Sequence, residues 1–274
     1  MHDPQASFPV RNLSFDFSAV PDRWHGDRAA VSLFFDNLST LFPLGERFFI
    51  RSVVHYRDRV KDPKLRADVR AFTSQEAIHT REHESYNRML RRRGYDLDRM
   101  ERGIARLLAL PKRLHRRRAP LVSLAVTVAL EHWTAMLGHF VLEDDSIMDG
   151  ADPQMAAIWR WHAAEECEHK SVAIDVYEQA AQGGYWTRVL VMLVTSLLFW
   201  GRILRQQWMM MRADGIAFSA REWIDLGRFL FVEQRALKRL FPIWLSFFAR
   251  GFHPWQLDDA SLLERWRNRP ALAS

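Results

Sequence analysis

Two short segments, SQEAIHTREH and HAAEECEHK, each carry a glutamate followed three residues later by a histidine. The pairs are Glu76 with His79 and Glu166 with His169. On an α-helix, residues three apart lie on the same side, about 60° apart around the axis, so each pair can offer one carboxylate oxygen and one imidazole nitrogen to a metal ion. A chain that buries both pairs has to bring two long helices together around a charged centre.

Two further glutamates stand alone in apolar helical segments, Glu46 in TLFPLGERFFI and Glu131 in VTVALEHWTAML. An unpaired buried carboxylate costs several kcal/mol, so these positions need a partner. One alternative makes them surface charges paired with Arg47 or another basic residue. The other is a dinuclear metal site in a four-helix bundle, where two helices give one glutamate each and two give Glu-x-x-His. The order along the chain fits that site: Glu46, Glu76 with His79, Glu131, Glu166 with His169.

Two more histidines fall on the same helical faces. His162 precedes Glu166 by four residues, and His83 follows His79 by four. We predict His162 as a seventh ligand, and His83 as either an additional ligand or a group that orients one. The neighbouring Glu82 is less well aimed, as is Glu165, and we expect both to face solvent or to support a ligand.

The ligand types indicate which metals the site would hold. Four carboxylates balance the charge of two divalent cations, which makes their burial tolerable. Mixed carboxylate and imidazole ligation suits iron or manganese, and the lack of thiolates argues against structural zinc. We therefore predict two transition-metal ions, iron in the first place and manganese as the alternative.

Strand signals are nearly absent, and helical signals are strong, which predicts an all-α protein. Four long helices are expected over residues 29–59, 63–93, 120–149 and 153–182, with a long basic crossover, 95–119, between the second and third. We divide the chain into an extended segment (1–28), a metal-binding bundle (29–182) and an apolar C-terminal helical extension (183–274).

Composition narrows the classes of function. The single cysteine, Cys167, excludes an intramolecular disulfide, and the N-terminal residues lack the pattern of a signal peptide, so we expect a cytoplasmic protein. The net charge of +6 comes from arginine clusters without interleaved aromatic residues or a recognisable nucleic-acid module. We predict no nucleic-acid partner, and regard solvated helix ends or anionic lipid headgroups as the roles of these clusters.

The C-terminal third is rich in apolar and aromatic residues. The run from Val189 to Trp200 is about a dozen residues, whereas a bilayer takes about twenty, so we expect it not to span a membrane. Three roles stay open for this region: packing on the bundle or in a homodimer, a pocket for a lipophilic substrate, and contact with a membrane surface.

The segments GERFF, QEAIHTREH, ALEHWTA and HAAEECEHK together resemble the ferritin-like di-iron carboxylate superfamily over about residues 29–182. More narrowly, they look like the bacterial family catalogued as predicted metal-dependent hydrolases. The spacing of His162, Glu166 and His169 is also similar to the ligand pattern of p-aminobenzoate N-oxygenases.

The resemblance implies oxygen chemistry at a di-iron or iron–manganese centre, acting on a small or lipid-like substrate with O2 and an unidentified electron donor. The main alternative is a metal-dependent hydrolase, in which a metal-bound water is the nucleophile. Metal storage or sensing without an organic substrate is a third possibility.

Overall fold

The computed structural model describes residues 5–114 and 117–269, and that part of the chain contains helices and no strand, so the all-α prediction is confirmed. The helices are α1 (Ala29–Val54), α2 (Pro63–Arg92), α3 (Leu97–Leu108), α4 (Leu110–Leu114), α5 (Ala119–Glu143), α6 (Pro153–His169), α7 (Val172–Asp175), α8 (Tyr185–Ala213), α9 (Ala220–Gly227), α10 (Ala236–Ser246) and α11 (Ala260–Arg267).

Four of these helices, α1, α2, α5 and α6, carry the predicted ligands. α1 packs along α2, α5 packs along α6, and α1–α5 and α2–α6 contacts close the ring. Aspartate–proline pairs start two of them. The Asp62 carboxylate accepts from the amide of Lys64 at 3.0 Å, and the Asp152 carboxylate accepts from the amide of Gln154 at 3.0 Å. These caps satisfy amides that the first helical turn leaves free, and the following proline has no amide to satisfy.

The backbones of α5 and α6 come unusually close at Gly138. A side-chain carbon at this position would lie 2.8 Å from the carbonyl oxygen of Ala163, which is closer than such contacts occur. Only glycine therefore permits this crossing without moving a helix. Because Glu131 precedes Gly138 on α5 and Glu166 follows Ala163 on α6, the close crossing fixes how far apart these two carboxylates sit.

Three predicted helix ends are wrong. α1 ends at Val54 rather than residue 59, and a short 3₁₀ turn follows at Arg57–Arg59. α5 ends at Glu143 rather than near 149, because the Asp144 carboxylate accepts from the amide of Ser146 and begins a separate 3₁₀ turn.

The fourth predicted helix, 153–182, is also interrupted. α6 ends at His169, and a short α-helix and a π-helical turn, Val176–Ala180, follow it. The interruption lies at Lys170, whose ammonium donates to the carbonyl of Leu257 at 2.6 Å and pairs with Asp259. Within the predicted crossover, two helices, α3 and α4, replace the one expected.

The C-terminal region packs on the four ligand-bearing helices through α8. The side chains of Gln206 and Gln207 are buried, and they donate to Thr40 and to the carbonyl of Ala30 in α1 at 2.9 and 3.0 Å. On its other side α8 exposes apolar side chains: Trp186, Leu190, Leu193, Val194, Leu197, Leu204 and Trp208.

The apolar run in the C-terminal region was expected to be too short to cross a bilayer, and this expectation is wrong about the length of the helix. α8 has 29 residues and is apolar enough to span by length and composition, and so is α5. The apolar window of α5 is 67% buried, as expected of a core helix, whereas that of α8 is 28% buried. Length and composition alone are weak grounds for a membrane span, and the polar contacts of α8 with α1 show that one face belongs to the folded core.

Asp36 on α1 provides a test of the packing around the N-terminal half of the core. Its buried carboxylate accepts from the indole of Trp24 at 2.9 Å and from the hydroxyl of Tyr86 at 2.6 Å, and burial raises its pKa from 3.8 to about 6. Because the folded-state pKa lies above the unfolded value, the folded state holds this proton more tightly. The free energy of unfolding should therefore fall as pH rises from about 4 to 7, by about 2–3 kcal/mol from this group. Asp36→Asn should remove that contribution in urea titrations across this range, and an unchanged pH dependence in the variant would contradict the assignment.

Candidate metal centre

The structure brings all seven predicted ligands into one buried cluster between α1, α2, α5 and α6. All seven residues are buried, with at most 2% of their surface exposed to solvent. The carboxylates come from all four helices, and the imidazoles come from α2 and α6. They are Glu46, Glu76, His79, Glu131, His162, Glu166 and His169.

Most carboxylate oxygens of this cluster have no hydrogen-bond donor within the described residues. Both oxygens of Glu46, Glu76 and Glu131 are buried without a donor, and so is one oxygen of Glu166. An unsatisfied buried polar group costs about 1–3 kcal/mol, and a buried anion costs more. These seven carboxylate oxygens together form the donor set of a cation site, so the residues present fit bound metal ions.

His169 turns its Nε2 nitrogen towards this cluster. Its Nδ1 lies 2.9 Å from the side-chain oxygen of Gln75, whose amide nitrogen in turn donates to the carbonyl of Pro9 at 2.9 Å. The Gln75 oxygen is therefore an acceptor, and His169 donates to it through Nδ1–H. The other nitrogen, Nε2, lies 3.1, 3.6 and 3.5 Å from oxygens of Glu76, Glu131 and Glu166. Burial alone would lower the pKa of His169, but contacts with Glu166 and Glu76 outweigh it and raise that pKa well above 6.5, so Nε2 holds a proton that a metal ion would replace.

His79 is oriented in the same manner from the opposite side. Its Nε2 lies 2.9 Å from Glu165, a carboxylate that also pairs with Arg11 at 3.1 Å. The paired carboxylate accepts the Nε2 proton, which leaves Nδ1 as a lone pair without a partner, 3.8 Å from Glu166. A carboxylate behind a histidine is the usual device for fixing a metal-ligating ring.

A chain of four hydrogen bonds fixes His162. The Asn87 amide nitrogen donates to the carbonyl of Ser39, and the Ser39 hydroxyl donates to the Asn87 side-chain oxygen at 2.9 Å. The hydroxyl must then accept from Nδ1 of His83 at 2.9 Å, so Nε2 of His83 accepts from Nδ1 of His162 at 2.6 Å. The remaining nitrogen of His162, Nε2, faces a carboxylate oxygen of Glu166 at 2.8 Å. Two acceptor atoms at this distance need a proton or a metal ion between them.

The two options left open for His83 can now be compared. Both of its ring nitrogens are engaged, by Ser39 and by His162, so its contacts are those of a residue that orients His162. Of the two roles expected for Glu82 and Glu165, exposure to solvent does not occur, and Glu165 has the other role, support of a ligand. Both are buried, Glu165 behind His79, and Glu82 accepting from the backbone amide of Phe15 at 3.0 Å.

The potential ligand atoms form overlapping groups of three residues, and the ligand atoms of each group lie within 4.8 Å of one another. Glu76 belongs to a group with Glu46 and His79 and to a second group with Glu166 and His169. Glu166 is shared in turn with a group formed by His79 and His162, and Glu46 is shared with a group formed by His83 and His162. Carboxylates common to two groups are the residues able to bridge two ions, so the geometry suits a pair of metals.

Charges within the cluster shift the pKa values of the carboxyl groups in opposite directions. Burial, and then the charge of Glu76, raises the pKa of Glu46 and of Glu131 well above the ordinary value of 4.5. Burial alone would also raise the pKa of Glu166, but contacts with His162 and His169 outweigh it and hold that pKa well below 4.5. Without a metal, protons must neutralise part of this cluster, so protons and metal ions compete for it.

One apolar cavity reaches the cluster. It has a volume of about 280 Å³ and ends at His162 and Glu166. Its walls come from α1, α5 and α6 and from the C-terminal region, and apart from these two residues they are almost wholly hydrophobic. Representative wall residues are Leu38, Phe42, Trp133, Leu137, Trp200 and Trp244.

Several residues that support the ligands could not be recognised from the sequence. Arg11, Gln75 and Ser39 act on histidines or glutamates that are up to 154 residues away, and no local motif marks them. The surface-charge alternative for Glu46 does not match the structure, because Arg47 pairs with the half-exposed Glu84 instead.

The competition between protons and metal predicts a pH-dependent effect of metal on stability. Because burial raises the pKa of Glu46 and Glu131, the metal-free protein should lose stability as pH rises above 4.5. Metal ions remove this repulsion, so the rise in Tm on adding Mn²⁺ should grow between about pH 5 and 8. Scanning calorimetry with and without Mn²⁺ measures it, and a metal-induced shift that is independent of pH would contradict the assignment.

The chain behind His162 predicts a second effect. His83→Phe keeps a ring beside Phe42 but removes the acceptor for Nδ1 of His162. We expect a ten- to hundredfold loss of affinity for one metal ion, because removing a group behind a ligand has this effect in known sites. His132→Phe is the matched control, since His132 is buried outside the cluster and contacts the carbonyl of Ile243. Equal metal-binding isotherms for His83→Phe and the native protein would exclude the orienting role.

Comparison with known proteins gives one match. A family model described as predicted metal-dependent hydrolase matches residues 9–258, which include every residue of the cluster. No curated protein and no solved structure matches the chain. The relation to the ferritin-like superfamily therefore stays a prediction.

Proposed function

The chain belongs to the family described as predicted metal-dependent hydrolases, and we propose that it is a dinuclear metal enzyme that oxidises an apolar substrate with O2. The observation that carries the proposal is the position of the metal cluster at the end of an apolar cavity. The cavity touches two of the proposed ligands, His162 and Glu166. A substrate held there would lie directly against the metal-binding residues.

The ligand set supports iron, with manganese as the alternative. Glu46, Glu76 and Glu166 with the histidines of their groups would hold two ions, and Glu131 stands 3.6 Å from His169 as a fourth carboxylate. When bound, such a pair supplies redox chemistry with O2 and requires two electrons from an external reductant. The chain's own contribution is to hold the imidazole lone pairs in position, through Gln75, Glu165 and His83.

The cavity walls favour oxidation over hydrolysis. Hydrolysis of an ester or amide needs donors aimed at the developing oxyanion, and a general acid for the leaving group. The indoles of Trp133 and Trp244 both donate to Ser196, at 2.9 and 3.1 Å, and the Thr134 hydroxyl donates to the carbonyl of Glu131. These three polar groups are thus engaged elsewhere, and of the described residues that line the cavity Trp159 keeps a buried indole N–H without a partner. The walls can orient an apolar group and exclude water from it.

Oxygen consumption tests this proposal directly. The protein loaded anaerobically with two Fe²⁺ per chain should consume O2 within seconds, at about one O2 for each pair of ions. Glu76→Gln, which alters a residue shared by two groups of ligands, should lower both the bound iron and the rate at least tenfold. Glu84→Gln on the same helix is the control. If mass spectrometry shows that neither variant loses iron, the assignment of the site is wrong.

The family description supports a hydrolase as the second candidate. In that case the metal-loaded protein would cleave esters or phosphoesters and would not react with O2 in its ferrous form. Assay of the Mn²⁺-loaded and Zn²⁺-loaded protein with nitrophenyl esters of different chain length separates the candidates. Hydrolysis that disappears in Glu76→Gln, together with an O2-inert ferrous form, would replace our proposal with this one.

A further inference from the structure

A second apolar cavity lies beside the one that reaches the metal cluster. Its volume is about 370 Å³, and four residues line both cavities: Leu38, Phe42, Thr134 and Leu137. The remaining walls of the second cavity come from α1, α3, α4, α5 and α8, and they are apolar except for Thr195 and Arg202. The two cavities therefore adjoin at these four side chains, three of which are apolar.

The second cavity adjoins a basic groove between α3 and α8. The groove has a volume of about 630 Å³ and shares Leu107, Leu198 and Arg202 with the cavity. Five arginines line it, and none of them forms an ion pair with a residue in the described part of the chain. They are Arg99, Arg102, Arg106, Arg202 and Arg205.

Arg202 stands where the apolar and the basic parts meet. Its guanidinium is about half buried against Gly103, where a side chain would have to overlap it, and it donates to the carbonyl of Met100. Its Nε is buried without a partner. Burial, and then the charge of Arg205, lowers the pKa of this guanidinium, which means that the site would gain from an anion.

We propose that the groove and the two cavities form one binding site for an anionic amphiphile, with the head group at the arginines and the apolar chain directed through the cavities to the metal cluster. The proposal rests on the proposed function, of which it names the substrate class. Arginine recognises carboxylate and phosphate heads alike, so the shared chemistry is a single anionic head group on an apolar chain. The exposed apolar side chains of α8, including Leu190, Val194 and Leu197 at the rims, suit entry of such a chain.

The test uses the full-length protein and two probes, 12-bromododecanoate and 12-bromododecanol, each below its micellar concentration. Bromine quenches tryptophan fluorescence at contact range. Trp133, Trp159, Trp200 and Trp244 line the metal-facing cavity, whereas neither the second cavity nor the groove has a tryptophan wall. We expect the acid to quench with a Kd at least tenfold lower than that of the alcohol, and Trp133→Phe with Trp200→Phe to reduce the quenching.

Charge reversal then tests the head-group contact. Arg102→Glu, Arg106→Glu and Arg205→Glu together should raise the Kd of the acid at least tenfold and leave that of the alcohol within about twofold. The control triple variant, Arg51→Glu, Arg88→Glu and Arg118→Glu, makes the same change in net charge at exposed arginines outside the groove. Equal affinities for acid and alcohol, equal losses in both triple variants, or quenching unaffected by the tryptophan variants would each overturn the proposal.

Vesicles distinguish the source of the amphiphile. A response to the monomeric acid supports the site. If the protein also co-sediments with phosphatidylglycerol vesicles, a bilayer is the source of the amphiphile. Vesicle binding without any response to the acid would overturn the site, because the arginines would then serve surface attachment alone.

Metal content is measured on the same samples. Protein that holds two metals but ignores the acid overturns only the substrate class, and protein that binds the acid without metal overturns only the proposed function.

Discussion

The cost of burying four glutamates at one point governs the rest of this structure. Most of their oxygens have no hydrogen-bond donor in the described part of the chain, so the cluster is stable only with protons or cations among them. That requirement explains why one nitrogen of each of the three histidines is turned towards the carboxylates, where it can carry a proton or bind a metal ion. It also explains why the groups behind those rings are themselves buried and paired. An apolar core with the same helices would need none of Gln75, Glu165 or His83 in their observed roles.

The same cluster places the chemistry at the boundary between a polar and an apolar environment. On one side, Gln75, Glu165 and His83 bond to the far side of the three rings, and Pro9 and Arg11 of the N-terminal segment bond in turn to Gln75 and Glu165. On the other side, α8 and the C-terminal helices supply hydrophobic walls. Metal-binding residues are thus held rigidly from behind, while the face towards the cavity has few polar groups. Such an arrangement suits a reaction on a hydrocarbon group better than one on a hydrated substrate.

Much of this could be predicted because the decisive signals are local. Glu-x-x-His spacing, Asp-Pro helix starts and glutamates within apolar runs depend on neighbours only a few residues away, and they located the helices and the clustered residues. The helix end at His169 could not be predicted, because Lys170 pairs with Asp259, a contact that forms only in the folded chain. The end at Glu143 follows from a local contact of Asp144 with the amide of Ser146, which the helical pattern of the sequence did not reveal. Arg11, Ser39 and the arginine groove depend on contacts between distant segments, for which a single sequence carries no signal.

The extended segment before α1 has a consequence for the ligand-bearing helices. The partners of Ser7, Arg11 and Phe15 lie 61, 154 and 67 positions further along the chain. The carbonyl of Pro9 bonds to Gln75 on α2, and Arg11 bonds to Glu168 on α6. The segment therefore ties two ligand-bearing helices together across the back of the histidines, and the groups that orient the rings depend on it for their burial.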